Sequence, residues 1–156
     1  MGDYDRDLAF SLGVSNLTPP FRRVTEIRGG DLKLCLADKC YYSEAKIPCY
    51  EFAIRVGDED AGTYSVLIET DFEKVREVGN VAIEAKRKFY GHDLPFRATK
   101  AVLPFLRKHG MRSILITCDA GKRAVRNTCE RLGARYLDTI ETSTPGTEKD
   151  RFVLDF

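Results

Sequence analysis

The sequence predicts one mixed α/β (α+β) domain, built on a mostly antiparallel sheet with helices packed against it. Three observations carry that prediction. Apolar residues alternate with polar ones in several short stretches separated by turn residues, the mark of half-buried strands. One longer segment, "YGHDLPFRATKAVLPFLRKHG" at 90–110, repeats its apolar residues at the helical period. A β-branched apolar run, "SILITC", leads straight into a second helical pattern. A chain of 156 residues with 43% hydrophobic content can bury one real core and is too short for two comfortable domains.

Residues 1–30 show no clean period and carry "TPP" and "GG", so they read as an N-terminal arm and loop with at most a short helix, leaving 31–156 as the domain. In "DLKLCLA", Leu32, Leu34 and Leu36 alternate with Lys33 and Cys35, giving a strand. "CYEFAIRV" puts Tyr50, Phe52, Ile54 and Val56 on one face; "GDEDAG" turns and "TYSVLIET" returns, an antiparallel hairpin. "DFEKVREVG" links the hairpin to another strand, "NVAIEA", from Asn80 to Ala85. In the long helix, Ala98, Ala101, Val102, Phe105 and Leu106 form one apolar face, while Arg97, Lys100, Arg107 and Lys108 face solvent. Pro95 suits the first turn and Gly110 the stop. Pro104, inside the helix, removes one backbone hydrogen bond at a nominal cost of roughly 3 kcal/mol and predicts a kink. "SILITC" is the next strand, "DAGKRAVRNTCERLGA" a loop and helix ending at Gly133, and "RYLDTIET" and "RFVLDF" the closing strands.

No apolar run approaches the roughly 20 residues a membrane helix needs, and the acidic start "MGDYDR" is unlike a signal peptide or a myristoylation site, so a cytoplasmic location is expected. Five cysteines, Cys35, Cys40, Cys49, Cys118 and Cys129, are odd in number and form no CxxC pair; neither a disulfide framework nor a zinc site is suggested, and most should be core thiols. The net charge of +1 conceals an asymmetry. Between Lys86 and Arg135 there are 13 Lys or Arg against 3 acids, a balance of +10, which leaves −9 for the rest. That half favours an anionic ligand such as a phosphorylated cofactor, unless the charges are only a solvated surface. Nucleic acid is disfavoured, because few aromatics interleave with those charges and no helix-turn-helix, zinc or RNA-binding signature is present.

A strand, a Gly-containing turn and a helix in succession make an anion site, since free N–H groups and the positive end of the helix dipole converge there. The run of strand "GNVAIEA", turn "YGHDLP", helix "FRATKAVLPFLRKHGM", strand "RSILITCD" and helix "AVRNTCERLGA" resembles the GNAT superfamily of N-acetyltransferases, in particular a divergent bacterial branch. The resemblance covers about 31–156. It implies a GNAT-type sheet with acetyl-CoA, or another acyl-CoA, as co-substrate, an amine on a small molecule or protein as acceptor, and no metal.

In that family the turn before the long helix reads Q/R-x-x-G-x-G/A and its N–H groups hold the pyrophosphate. Here Tyr90, Asp93 and Pro95 stand at the motif positions, while Gly91 and His92 match the branch. Pro95 offers no N–H, and Asp93 can either set a carboxylate where the phosphate charge would lie or cap the helix. The resemblance further implies that backbone at Ala82, Ile83 and Ala85 holds the pantetheine, and that Lys86, Arg87, Lys88, Lys122 and Arg126 lie near the phosphates. Cys129 falls where the family often has the Tyr that protonates the leaving thiolate; a Cys on an apolar helix face is otherwise packing. Glu84 is the candidate base, with Glu69 behind it and His92 as a further possibility; the plain alternative is an exposed carboxylate or surface histidine. Only "ADKCYYSEAKIP", Ala37 to Pro48, separates the first two strands, where the superfamily usually places two helices forming the acceptor wall. The acceptor site is therefore open, or completed by the arm or by a second subunit of a homodimer. A domain that has lost catalysis and serves as a binding or regulatory module is the rival reading, supported by Tyr90, Asp93 and Pro95.

Overall fold

The computed structural model describes residues 21–156. Among the described residues, eight strands and two helices follow one another as β1 (Glu26–Gly29), β2 (Leu32–Tyr42), β3 (Ile47–Val56), β4 (Glu59–Leu67), β5 (Val81–Ala85), α1 (Leu94–Lys108), β6 (Ser113–Asp119), α2 (Arg123–Leu132), β7 (Arg135–Glu141) and β8 (Glu148–Asp155). Short 3-10 turns at Phe72–Val75 and Arg87–Phe89 flank β5. The strands form an antiparallel five-stranded sheet in the order β1-β2-β3-β4-β5 and a three-stranded sheet in the order β6-β8-β7. Among the described residues, no helix is long and apolar enough to cross a membrane.

Alternation in β2 and β3 sends Leu32, Leu34, Tyr50, Phe52 and Ile54 to one face, all at most 1% exposed. α1 lies over that face, burying Leu94, Ala98, Val102, Phe105 and Leu106 in the same core. Pro104 points to solvent, where water can satisfy the carbonyl that loses its partner. On the opposite side a smaller cluster joins the sheets through Ile47, Cys49, Leu67, Val75, Leu115 and Val153. The cysteines are free; Cys49 and Cys129 are buried and the other three half-buried.

Two expectations are corrected. The hairpin turn is tighter than "GDEDAG": Glu59 and Asp60 already belong to β4, opposite Val56 and Arg55, because Gly57 takes a φ of +60° and reverses the chain at once. Within the stretch read as arm and loop, Glu26–Gly29 is a strand, paired from Glu26↔Cys35 to Gly29↔Leu32. It has no pattern of its own and exists through β2 and the α1 surface. A Cβ added at Gly29 would lie 3.1 Å from Ala101 Cβ.

His109, at the end of α1, is 4% exposed; its Nε2 lies 2.9 Å from Tyr50 Oη, and its Nδ1 has no hydrogen-bond partner among the described residues. Burial, with Arg22 nearby, pushes its pKa down from 6.5 to about 4. The unfolded chain therefore binds a proton that the native state refuses, so stability present above pH 6.5 is lost as pH falls toward 4. Between pH 7 and 4.5 this group should remove about 2–3 kcal/mol. Urea unfolding of the native chain and of His109→Gln at both pH values checks this: the native chain should lose that much more than the variant.

Candidate active site

The site begins at a clasp between the two sheets. Asn80 is fully buried; its N–H donates to Leu115 O and its Oδ1 accepts from Leu115 N–H, both at 2.7 Å. Its Nδ2 donates to Leu67 O and Glu69 O, both at 2.9 Å, and its carbonyl accepts from Leu67 N–H. One side chain thus ties β6 to the end of β4. Gly79 precedes it with a φ of +73°, and a Cβ there would stand 2.7 Å from Leu115 O, so this approach of the two backbones needs glycine.

Beyond the clasp β5 and β6 are not paired. Asn80 O accepts from Leu67 on β4, and Lys86 N–H donates to Ala61 O. Antiparallel alternation between those two bonds turns the even-numbered residues of β5 toward β4 and the backbone groups of Val81, Ile83 and Ala85 toward the gap. On β6, Ala120 N–H and Arg112 O bond to the β8 side, so Thr117 and Asp119 present their backbone to the same gap. A cleft of about 450 Å³ fills this V, lined by Ala82 and Ile83 of β5, Ile116 and Cys118 of β6, Pro95 and Thr99 of α1, and Val125 and Cys129 of α2. Tyr64 lies at its floor, with its hydroxyl 2.9 Å from Thr99 Oγ1 and its pKa pushed up by burial. Lys149 lines the narrow end, donating to Glu77 O at 2.9 Å.

The turn leading into α1 passes through left-handed backbone. Gly91 has φ +92° and Asp93 φ +61°, a left-handed conformation that Asp tolerates better than most residues. Asp93 occupies the cap position, yet its side chain does not cap the helix, which corrects that alternative. Instead, both carboxylate oxygens accept from Arg131 of α2 at 2.8 Å. The Arg131 hydrogen bonds hold the Asp93 carboxyl below its usual range, and the same guanidinium lies 4.1 Å above the Phe96 ring. The Asp93 charge is thus matched by Arg131, and the N–H groups of Leu94 and Phe96 have no partner among the described residues. Pro95, between them, contributes none.

Part of the basic half is neutralised, mostly by acids from outside it. Lys86 pairs with Asp60, Lys88 with Glu59, Arg97 with Asp31, Arg131 with Asp93, Arg135 with Asp155, and Arg126 approaches Asp150 at 4.0 Å while covering the rings of Tyr136 and Phe152. Arg87 and Lys122 are exposed with no ion-pair partner among the described residues. Lys122 stands at the start of α2, on a loop anchored by Gly121 N–H to Asp150 at 3.0 Å. Tyr90 is 68% exposed, and His92 is exposed with its ring edge-on to Phe89.

Of the residues with proposed chemistry, Ala82, Ile83 and Cys129 line the cleft. Burial pushes the Cys129 thiol up to about 12, with Cys118 and Glu130 adding to it, so it is a neutral packing thiol and a weak acid. Glu84 is exposed on β5, paired with Thr63 and outside the cleft lining; Val81, Ile83 and Ala85 pack toward the core, so Glu84 faces away from α1. Glu69 accepts from Asp71 N–H, beside Lys74, and lies outside the lining as well. Tyr64, Thr99, Cys118 and Lys149 escape a reading of the sequence, because only the fold brings them to one cleft.

No protein-family model matches the sequence. The architecture is nonetheless that of the GNAT acetyltransferases, a mixed, mostly antiparallel sheet opened between two strands with helices packed on it. RimL, a ribosomal L7/L12 α-N-protein acetyltransferase solved in complex with coenzyme A, superposes at a TM-score of 0.64 with 13% identity, covering 83% of this chain and 97% of that one. The Salmonella typhimurium acetyltransferase that modifies the N-terminal serine of L7/L12 gives 0.57 at 14% identity, over 69% and 64%. The microcin C7 self-immunity acetyltransferase MccE, bound to acetyl-CoA and AMP, gives 0.56 at 12%, over 69% and 61%. In sequence, a Halorhodospira halophila protein named trigger factor is 33% identical over 97 residues, 60% of this chain but 22% of that protein's length.

Proposed function

We propose that this chain transfers an acyl group, acetyl in the first place, from acyl-CoA to an amine by direct attack within a ternary complex. The observation that carries the reading is the V between β5 and β6, whose alternate backbone N–H and C=O groups are unpaired and suit a ligand with strand-like amides. Pantetheine is such a ligand. Val81, Ile83 and Ala85 would hold it, the thioester would lie toward the clasp, and the pyrophosphate would meet Gly91, the Leu94 and Phe96 N–H groups, Arg87 and Lys122. The structural neighbours solved with CoA or acetyl-CoA support the same cofactor class.

In this reading the amine approaches from the face opposite α1 and its proton passes through water to Glu84, which lies outside the cleft lining, as nitrogen attacks the carbonyl carbon. The C–S bond then breaks and the thiolate takes a proton. Cys129 is a poor source for it, because burial makes it a weaker acid than a free thiol near about 8.5; the proton released by the amine, relayed through solvent, balances the step instead. Acceptors include protein N-termini, as for the L7/L12 enzymes, and small-molecule amines. Nothing in the reading requires a membrane, and it fits a cytoplasmic protein.

Thermal unfolding with acetyl-CoA, and with ATP at matched ionic strength, tests the cofactor assignment. Acetyl-CoA at 100 times its Kd should add about 2.7 kcal/mol, a rise of several degrees, and ATP far less. No rise at millimolar acetyl-CoA would sink the proposal. The pairing of Asp93 with Arg131 and the missing Pro95 N–H favour a second reading, a binding module without turnover. In the double variant Asp93→Gly, Pro95→Ala, one N–H is restored and Arg131 is freed for the phosphates, so acetyl-CoA should bind several-fold tighter by calorimetry.

A further inference from the structure

We propose that Cys40, Cys49 and Glu51 form a site for a thiophilic divalent cation of the zinc and cadmium class, clipping β2 to β3. Cys40 and Cys49 are direct cross-strand partners, so their side chains leave the sheet on the same face; Glu51 follows Cys49 by two residues on that face. Both sulfurs and a Glu51 carboxylate oxygen lie within 4.8 Å of one another. In tetrahedral zinc with bonds of about 2.3 Å to sulfur, two thiolates stand about 3.8 Å apart, so a shift of an ångström or less closes the set.

The surroundings suit a cation. Cys49 sits in the small cluster with Leu67 and Val75, Cys40 packs partly buried against it, and Glu51 is on the solvent side. Asp38, opposite Glu51 on β2, adds a second carboxylate to the field. With no counter-charge, burial, Cys40 and these two carboxylates push the Cys49 thiol up to about 12. A bound dication reverses that balance: each thiol releases a proton to solvent as its S–metal bond forms, leaving a fourth position for water. The site lies on the sheet face opposite the α1 core and is separate from the proposed acyl-CoA cleft, which Cys118 and Cys129 line. Sequence spacing conceals it, because the ligands meet across two strands rather than in a CxxC loop.

The test uses the reduced, chelator-stripped chain titrated with Cd²⁺, following the ultraviolet thiolate-to-cadmium charge-transfer band. The expected result is one equivalent bound, with the affinity falling at least about 100-fold in Cys40→Ser and about 10-fold in Glu51→Gln. Cys118→Ser and Cys129→Ser should leave the band in place. Both informative substitutions are at half-buried or exposed positions, and circular dichroism checks that the variants fold. The proposal is overturned if the band survives Cys40→Ser, if it disappears with Cys118→Ser, or if reduced protein binds no Cd²⁺ at about 100 µM. Zn²⁺ should raise the melting temperature of the native chain and not of Cys40→Ser.

Discussion

Replacing Asn80 with alanine is expected to cost about 2–5 kcal/mol of folding stability and to abolish acetyl-CoA binding together with it. The side chain leaves three partners behind: Leu115 N–H and Leu67 O, both buried, and Glu69 O at the margin. Each buried group left unsatisfied costs about 1–3 kcal/mol, and the Glu69 carbonyl can recover water. For a domain of this size the melting temperature should fall by roughly 10 °C. Asn80→Asp keeps an acceptor for Leu115 N–H but sets carboxylate oxygens against the Leu67 and Glu69 carbonyls, so it should not rescue. The two losses share one cause, since the clasp fixes the closed end of the V from which β5 and β6 diverge. Urea unfolding that changes by less than about 1 kcal/mol would show that the sheets are held elsewhere.

How much of this was legible in the sequence depends on the range over which each feature is encoded. α1 was readable because Ala98, Val102, Phe105 and Leu106 repeat at the helical period, and all four are buried as that period requires. The β3–β4 hairpin was readable for the same reason, with Tyr50, Phe52 and Ile54 alternating. β1 was not, because four residues carry no period and are held by pairing with β2. The clasp was invisible: "GN" before a strand looks like an ordinary turn, and nothing local says that Leu115, some 35 residues later, completes it. The charge asymmetry misled in part, since the acids that neutralise Lys86, Lys88 and Arg97 come from β4 and the turn before β2, all outside the basic half. Asp93 looked like a choice between repelling phosphate and capping a helix. Its partner, Arg131, lies 38 residues away on α2, so neither option could anticipate the ion pair.

Filling the cleft without touching the clasp separates the cofactor site from the fold. Val125 is half-buried on α2 and lines the V, and a helix surface there can carry a larger side chain. Val125→Trp should raise the acetyl-CoA dissociation constant by roughly 100-fold or more, because a rigid ring displaces ligand atoms from a cleft of about 450 Å³. The melting temperature without ligand should change by no more than a few degrees, since no buried hydrogen bond is broken and no cavity is left. Calorimetric titration of both proteins with acetyl-CoA decides the matter. Native-like affinity in a folded Val125→Trp would move the cofactor out of the V, and with it the assignment of the β5 backbone to pantetheine. Loss of binding with the fold intact would tie acyl-CoA recognition to the gap between β5 and β6 and leave the acceptor as the remaining question of chemistry.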